Sequence, residues 1–371
     1  MARIRIIACC SFLAFLLAST AGTMHGAALP DRVVGVKIYE YTGDLAALFA
    51  EWKRLGFNAV WASQALVSNP EFRRRARAAG ILTFVILPIF HDAAVLEKHP
   101  DWYAITGSGE QALDGWVKFI CPSRTDYRSK KLAEIRDFVR RQRPDGISID
   151  FIRHFVFWET VAPDRAPSSL PQTCFCRQCL TRFQAETGVR LPGDASRVEQ
   201  ASRWILREHA AKWTAWKCSL ITSMVREIAA QARGAQAGIL VNLHAVPWRT
   251  TDFDGAIRNV AGQDFAAIAP YLDLISPMTY HHMVRQPPSW VGSVVRGLAG
   301  QVSCPVLPSI QAEEAYVKEK LSADEFENAL RASLSPPSRG VVFWSWPALE
   351  KDREKRERIV LVLQQQPGNP H

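Results

Sequence analysis

The sequence predicts a (β/α)8 barrel, or TIM barrel, folded as a single domain with an elaborated loop after its fourth strand. Three observations predict it: short apolar runs alternate with longer segments of helical period from residue 30 onward, there are eight such runs, and they are apolar on both faces. Parallel strands covered by helices have this two-sided apolar character. Eight strand–helix units in one chain of this length fit a closed barrel.

The strands are predicted at 33–41, 57–63, 82–90, 146–151, 238–244, 272–280, 304–311 and 340–346. Helices are predicted between them, in segments such as DLAALFAEWKRLG and SADEFENALRAS, and Gly56, Gly80 and Gly234 stand where C-cap glycines would stand. A doubly wound open sheet is the alternative, but it more often has a glycine-rich turn after the first strand, where this chain has YEYTGD. Residues 152–196 are too long for an ordinary connection, which predicts the elaborated fourth loop.

The N-terminus predicts export. The basic MARIR precedes an apolar run, IIACCSFLAFLLAST, and small residues then follow at Gly26 and Ala28. This pattern is typical of a secretory signal peptide, so we assign residues 1–28 to it and residues 29–371 to the barrel. A lipoprotein box at Cys9 is the alternative. We therefore expect a secreted or periplasmic protein with no stable membrane insertion after signal cleavage, because no other apolar run is long enough to span a bilayer.

The charge distribution gives weak information on partners. The formal net charge is +9, and the lysines and arginines are spread along amphipathic helical segments and are not concentrated in a tail. A solvated surface explains such a distribution, with attraction to acidic glycans or a membrane surface as the sharper alternative. We expect no nucleic-acid partner, and the oligomeric state stays open.

Polar and aromatic residues follow the predicted strands, whose interiors are almost wholly apolar. In a barrel, the C-terminal strand ends form one rim where functional groups gather. Aromatic faces at such a rim stack on sugars while amides and charged groups hold hydroxyls, so we predict a carbohydrate substrate. The predicted substrate-binding residues are Tyr39, Trp61, His91, Asp92, Arg153, Asn242, His244, Tyr280, His281, Gln311, Trp344 and Trp346, with His282 beside them.

Three segments carry a family resemblance. PDGISIDFIRHF resembles the strand-four signature of glycosyl-hydrolase-like barrels, and Gly146, Asp150 and His154 match the more distant strand-four motif of the α-amylase clan. DLISPMTYHH and GVVFWSWPAL are similar to the sixth and eighth strands of chitinase-like barrels. The resemblance implies a barrel glycosidase. Its acid–base partner does not carry over, because this chain has Ile152 where chitinase-like barrels place an acid and VNLHAVPW where the α-amylase clan places a glutamate. Ser148 also stands where that clan has an arginine.

Glycoside hydrolysis usually requires one ionised and one protonated carboxyl group. We predict Asp150 as the ionised group, acting as nucleophile or base, because Arg153 nearby would lower the pKa of its carboxyl group. The alternative is that Asp150 only orients Arg153. For the acid we predict Glu313, just after the seventh strand, with Glu314, Asp92 and Glu159 as alternatives.

The string CFCRQC places Cys174, Cys176 and Cys179 within six residues. An exported protein favours a disulfide there, with Cys121, Cys218 or Cys304 as partner. A structural zinc with a fourth ligand from elsewhere is the alternative, and some secreted β-galactosidase-like barrels are similar in having a cysteine cluster in this region. Either a disulfide or a zinc ion would hold the fourth loop in place. We expect no cofactor and no metal in the catalytic site.

The function predicted from these residues is an exported glycoside hydrolase. A carbohydrate-binding barrel without catalysis is the alternative, because no familiar acid is present. A metal-dependent barrel hydrolase that uses the rim histidines is a third hypothesis.

Overall fold

A computed structural model describes residues 28–193 and 197–365. The predicted signal peptide at 1–28 therefore lies outside the described residues except for its last position. Within the described ranges, no helix is both long enough and apolar enough to cross a membrane.

Eight parallel strands form a barrel, as predicted, and each predicted run overlaps one of them. Each strand from β1 to β6 pairs in parallel with the next, β1 also pairs with β8, and β7 pairs with β8. The gap between β6 and β7 is closed by two isolated parallel bridges, Ile275 to Val306 and Met278 to Ser309. This order follows the sequence around a ring, which excludes the open doubly wound sheet. The strands are β1 Val33–Ile38, β2 Ala59–Ala62, β3 Leu82–Pro88, β4 Gly146–Asp150, β5 Leu240–Ala245, β6 Leu274–Pro277, β7 Ser309–Gln311 and β8 Gly340–Trp344.

Large side chains fill the barrel interior where neighbouring strands have glycine. The rings of Trp61 and Phe84 stack with centroids 4.6 Å apart. A Cβ atom on Gly35 would lie 2.3 Å from Trp61, and one on Gly146 would lie 2.3 Å from Phe84. The two aromatic rings therefore occupy space that only glycine leaves free, and the lower barrel is a packed core.

Helices surround the barrel. The helix Pro70–Ala79 ends at Gly80, whose φ of 69° is the left-handed conformation of a C-cap glycine, as predicted. Gly234 is not a cap, because the helix around it continues to Ala235. The helices are Leu45–Arg54, Gln64–Ser68, Pro70–Ala79, Ala93–Lys98, Thr125–Gln142, Arg177–Thr187, Val198–Glu208, Ala210–Ala235, Ala256–Asn259, Phe265–Ile268, Ser289–Ala299, Ala323–Ser333, Trp346–Lys351 and Arg353–Gln364.

Two loops at the C-terminal rim are enlarged. The fourth loop contains the 3₁₀ turn Trp158–Thr160 and the helix Arg177–Thr187, in agreement with its predicted elaboration. The third loop, which the sequence analysis did not single out, contains a small antiparallel hairpin of Leu113–Asp114 and Val117–Lys118. Both loops cover the rim on the side of β3 and β4.

Candidate active site

Asp150 is the last residue of β4 and is almost fully buried at the barrel mouth. The backbone N–H of Phe151 donates to its Oδ1 at 2.7 Å, and Phe151 has a left-handed φ of 49°. Nδ1 of His244, at the end of β5, lies 3.4 Å from its Oδ2. Asp150, predicted as a catalytic residue, and His244, predicted as a substrate-binding residue, thus lie side by side.

A chain of hydrogen bonds inside the barrel reaches His244. The Ser276 hydroxyl donates to Oδ1 of Asn242 at 2.8 Å, and Nδ2 of Asn242 donates to Oγ of Ser148 at 2.7 Å. Oγ of Ser148 in turn lies 3.3 Å from Nε2 of His244. Because an ionised carboxylate only accepts hydrogen bonds, the neutral imidazole that faces Asp150 with Nδ1 carries its proton on that nitrogen, and Nε2 accepts from the Ser148 hydroxyl. Burial and the charge of Lys37 lower the pKa of His244 to about 4, so the ring is neutral near pH 7.

Lys37 is a buried cation inside the barrel. Its Nζ donates to the hydroxyl of Tyr280 at 3.0 Å, and Tyr280 stacks on Trp344 with ring centroids 4.8 Å apart. Burial lowers the pKa of Lys37 to about 7, and the charge of Asp150 opposes that decrease. Lys37 therefore ties the β1 side of the mouth to Tyr280 and adds a positive charge near Asp150.

These neighbours keep Asp150 ionised. Burial alone would raise the pKa of its carboxyl group, but the hydrogen bond from His244 and the charges of Lys37 and Arg153 outweigh burial and lower the pKa to about 2. The predicted effect of Arg153 on Asp150 is therefore present, together with that of Lys37. Arg153 is itself buried, with its guanidinium carbon 4.9 Å from the ring centroid of Phe151 and 5.1 Å from that of Phe119.

Glu159 is the second carboxyl group of the site. It lies in the 3₁₀ turn of the fourth loop, and its buried Oε2 has no hydrogen-bond partner among the described residues. Burial raises the pKa of Glu159 to about 7, with the charge of Asp150 adding to the increase and Arg153 opposing it. The site thus contains one carboxyl group that is ionised and one that keeps its proton up to neutral pH.

The other candidate acids have different surroundings. The backbone oxygen of Glu313 accepts a hydrogen bond from Nε2 of Gln311 at 2.9 Å, and its side chain is half-buried. Glu314 accepts from the backbone N–H of Leu321 at 2.7 Å. Asp92 caps the helix Ala93–Lys98 and forms an ion pair with Lys131 at 3.1 Å. Of the candidate acids, Glu159 is the one whose pKa is raised by the charge of Asp150 as well as by its burial.

The predicted aromatic residues divide between the mouth and the core. Tyr39 and Trp344 lie at the mouth, and His91 stacks on Phe151 at 4.7 Å with its Nδ1 3.0 Å from the backbone oxygen of Lys118. Trp61 and Trp346 do not reach the mouth. Trp61 fills the barrel core, and Trp346 packs in the helical layer against Trp52 at 5.7 Å. The strand ends at Trp344, so the face alternation that would have placed Trp346 beside it no longer applies.

Gln311 and His281 have structural contacts. The Gln311 side chain accepts from the backbone N–H of Met283 at 2.9 Å, joining the sixth and seventh loops. His281 is fully buried with Nε2 3.1 Å from Oε1 of Glu325, and His282 shares that carboxylate with its Nδ1 at 2.8 Å. These histidines contact the carboxylate of Glu325, which is a different group from that of Asp150, and they anchor the loops around the mouth.

Sequence reasoning missed Lys37, which stands in the otherwise apolar run VVGVKI. A lone lysine between apolar residues on an inward-facing strand position was a signal that could have been used. It also missed Trp116 and Tyr316, which lie in loops without a recognisable pattern.

The four cysteines 121, 174, 176 and 179 form a buried cluster beside the fourth loop. Their sulfur atoms all lie within 4.8 Å of one another. The Sγ of Cys121 is 3.4 Å from that of Cys176 and 3.3 Å from that of Cys179, which is far beyond the ~2.05 Å of a disulfide. All six cysteines of the described residues are free, so the expected disulfide is not formed in this structure.

The cluster fits a tetrahedral metal. Thiolates bound ~2.3 Å from zinc lie roughly 3.8 Å from one another, which matches these sulfur separations. The backbone N–H groups of Ile105 and Cys179 also point at sulfur, at 3.2 Å from Cys174 and 3.5 Å from Cys176. Cys121 is the fourth ligand that the zinc alternative required. Among the described residues, this is the only group of histidine, cysteine and acidic side chains spaced to hold a metal ion, and the rim histidines are not part of it.

Comparisons with known proteins find likeness in fold. No family model and no curated protein matches the sequence. Solved structures do match. The β-galactosidase from the psychrophilic Marinomonas ef1 is 12% identical with a TM-score of 0.67, over 90% of this chain and 59% of that one. The PgaB (BpsB) glycoside hydrolase domain from Bordetella bronchiseptica is 14% identical with a TM-score of 0.65, over 89% of this chain and 99% of that one.

An α-L-fucosidase from Paenibacillus thiaminolyticus is 13% identical with a TM-score of 0.55, over 89% of this chain and 48% of that one. The chain therefore spans 59% of the first of these enzymes and nearly all of the PgaB domain. At these identities the likeness is one of fold, and this chain is a TIM barrel similar in architecture to glycoside hydrolases.

Proposed function

We propose that this protein is an exported glycoside hydrolase that cleaves an oligo- or polysaccharide with Asp150 and Glu159. The observation that carries the proposal is the separation of their pKa values, about 2 for Asp150 and about 7 for Glu159. Two carboxyl groups in one site whose surroundings hold one ionised and one protonated are the requirement of glycosidic bond cleavage.

The two groups have complementary roles. Asp150, ionised, attacks the anomeric carbon or activates a water molecule, while protonated Glu159 donates its proton to the leaving oxygen. His244 faces Asp150 with Nδ1, 3.4 Å from Oδ2, and orients the carboxylate. Lys37 and Tyr280, joined at 3.0 Å, form a polar wall beside it where sugar hydroxyls can bind.

Glu159 replaces Glu313 as our preferred acid. Burial of Glu159 gives it a proton near neutral pH, and Asp150 acts on its charge directly. Glu313 is only half-buried, in the seventh loop. Export remains part of the proposal on the sequence of residues 1–28, and the likeness to three glycosidase structures supports the reaction class.

The proposal is tested by release of reducing ends from laminarin, xylan, galactan, carboxymethylcellulose and glycol chitosan. Wild-type protein should release them from at least one, and Asp150→Asn should lower the rate by about 10³-fold or more because it removes the ionised group. Asp150→Asn should still bind the polymer. A non-catalytic binding barrel would instead show binding with no release in the wild type, and that result would overturn the proposal.

A further inference from the structure

The exposed large hydrophobic side chains are concentrated at the barrel mouth. Among the described residues five such side chains are exposed, and four of them lie on loops after β1, β3 and β7. They are Tyr39 at 44%, Leu113 at 47%, Trp116 at 48% and Tyr316 at 48%, while Leu361 at 44% lies on the last outer helix. Isolated exposed hydrophobic residues are ordinary, but a group gathered at one place marks a binding surface.

Two of the four form a bridge, which we call the aromatic clasp. Nε1 of Trp116, in the hairpin of the third loop, donates to the hydroxyl of Tyr316, in the seventh loop, at 2.8 Å. These residues are 200 positions apart in the chain. Tyr316 has a φ of 60°, in the left-handed region that residues other than glycine rarely adopt. The clasp therefore joins opposite sides of the rim.

The clasp contacts residues that neighbour the two carboxyl groups in the chain. The Phe157 ring contacts Tyr316 at 5.2 Å and Trp116 at 5.9 Å between centroids, and Trp116 also lies 5.9 Å from Phe151, the neighbour of Asp150. Burial raises the pKa of the Tyr316 hydroxyl, and the charge of Glu159 adds to the increase. The exposed rings are thus continuous with the site and lie outward from it.

This arrangement fits a sugar chain better than a single sugar. Aromatic rings offer apolar faces to the C–H faces of sugar rings, and they keep polar edges for hydroxyls. The carboxyl groups lie deeper than the clasp, so a sugar that contacts the clasp is a different unit from the one cleaved. A substrate small enough to fill only the inner site would leave the clasp rings exposed.

We propose that the aromatic clasp of Trp116 and Tyr316 is an outer subsite that binds neighbouring units of an extended saccharide chain, so that the substrate is a polymer or long oligomer. This deepens the proposed function and rests on it for the position of the cleaved bond. Binding to the clasp is nevertheless a separate property from cleavage, and the two can fail independently.

The test is affinity electrophoresis of the full chain in native gels that contain each of the five polysaccharides named above. All proteins carry Asp150→Asn so that the polymer is not degraded. We expect at least one polysaccharide to retard the parent protein, and Trp116→Ala and Tyr316→Ala to weaken the apparent affinity about tenfold, the effect of losing one well-packed anchor. Tyr316→Phe, which keeps the ring, should weaken binding less than Tyr316→Ala.

Leu361→Ala is the matched control, since it removes a side chain of equal exposure from the outer helix, and it should bind like the parent. Tyr316→Ala carries the test if Trp116→Ala does not fold. Absence of retardation in all five gels, or equal retardation of the clasp and control variants, would overturn the subsite. Retardation without release of reducing ends by the wild type would defeat the proposed hydrolysis and leave the clasp standing. Cleavage by the wild type without retardation of the parent protein would defeat the clasp and leave the proposed hydrolysis standing.

Discussion

The charged neighbours of Glu159 shift the pKa of its carboxyl group in opposite directions. Burial and the charge of Asp150 raise the pKa of its carboxyl group, while the charge of Arg153 lowers it. An acid held in this balance loses its proton near neutral pH, so kcat/KM of the wild type should fall as pH rises through about 7.

Replacement of Arg153 tests that balance. Arg153→Met removes the charge that lowers the pKa of Glu159, so the pKa should rise and the alkaline limb of the kcat/KM profile should move to higher pH. Arg153→Lys, which keeps a cation, should leave the limb closer to that of the wild type. Arg54→Met is the control, because it removes an exposed positive charge elsewhere in the chain. An alkaline limb that stays in place in Arg153→Met would contradict the assignment of Glu159 as the acid.

Residues that end a strand were predictable, and residues in long loops were not. Asp150 and His244 were placed correctly at the mouth because parallel strands in a barrel end on one rim. Trp346 was misplaced because it follows the end of its strand. Glu159 ranked only as an alternative, since the position of its loop depends on packing that no local pattern encodes.

Among the elements, the fourth loop contains three of the four clustered cysteines. Cys121 comes from the segment before the helix Thr125–Gln142, while the other three come from the fourth loop itself. A metal ion bound by all four would join two segments that are distant in the sequence. Metal binding to the folded state alone stabilises that state.

We therefore expect purified protein to contain zinc at about one ion per chain, the stoichiometry of a single four-ligand site. Cys121→Ser should lose the metal and lower the melting temperature by several degrees, the scale of a change of ~1–3 kcal/mol in the free energy of unfolding. Cys304→Ser, a half-buried cysteine outside the cluster, is the control and should keep the metal. Metal-free protein with a 121–179 or 121–176 disulfide would support the original disulfide expectation instead.

The strands were predictable because they are short apolar runs that recur along the chain, and the major helices because they have a helical period. The hairpin Leu113–Asp114 with Val117–Lys118 was not, because two-residue strands are too short to show alternation. The contact between Trp116 and Tyr316 consequently could not be predicted from the sequence.

At the scale of the whole molecule, closure of the barrel makes the site. The bridges between β6 and β7 complete a ring in which β1 supplies Lys37, β4 supplies Asp150 and β5 supplies His244. The serine and asparagine chain that reaches His244 crosses three adjacent strands. The enlarged fourth loop contains Glu159, so the proposed carboxyl pair would be supplied by one strand end and one loop.

A comparison of Glu159→Gln with Glu313→Gln tests the account most directly, by reducing-end release from whichever of the five polysaccharides the wild type cleaves best. The two variants make the same chemical change in two different loops of the rim. The account predicts a loss of about 10²–10⁴-fold in kcat/KM for Glu159→Gln and little change for Glu313→Gln. Full activity in Glu159→Gln together with its loss in Glu313→Gln would contradict the central claim and return the acid to the seventh loop.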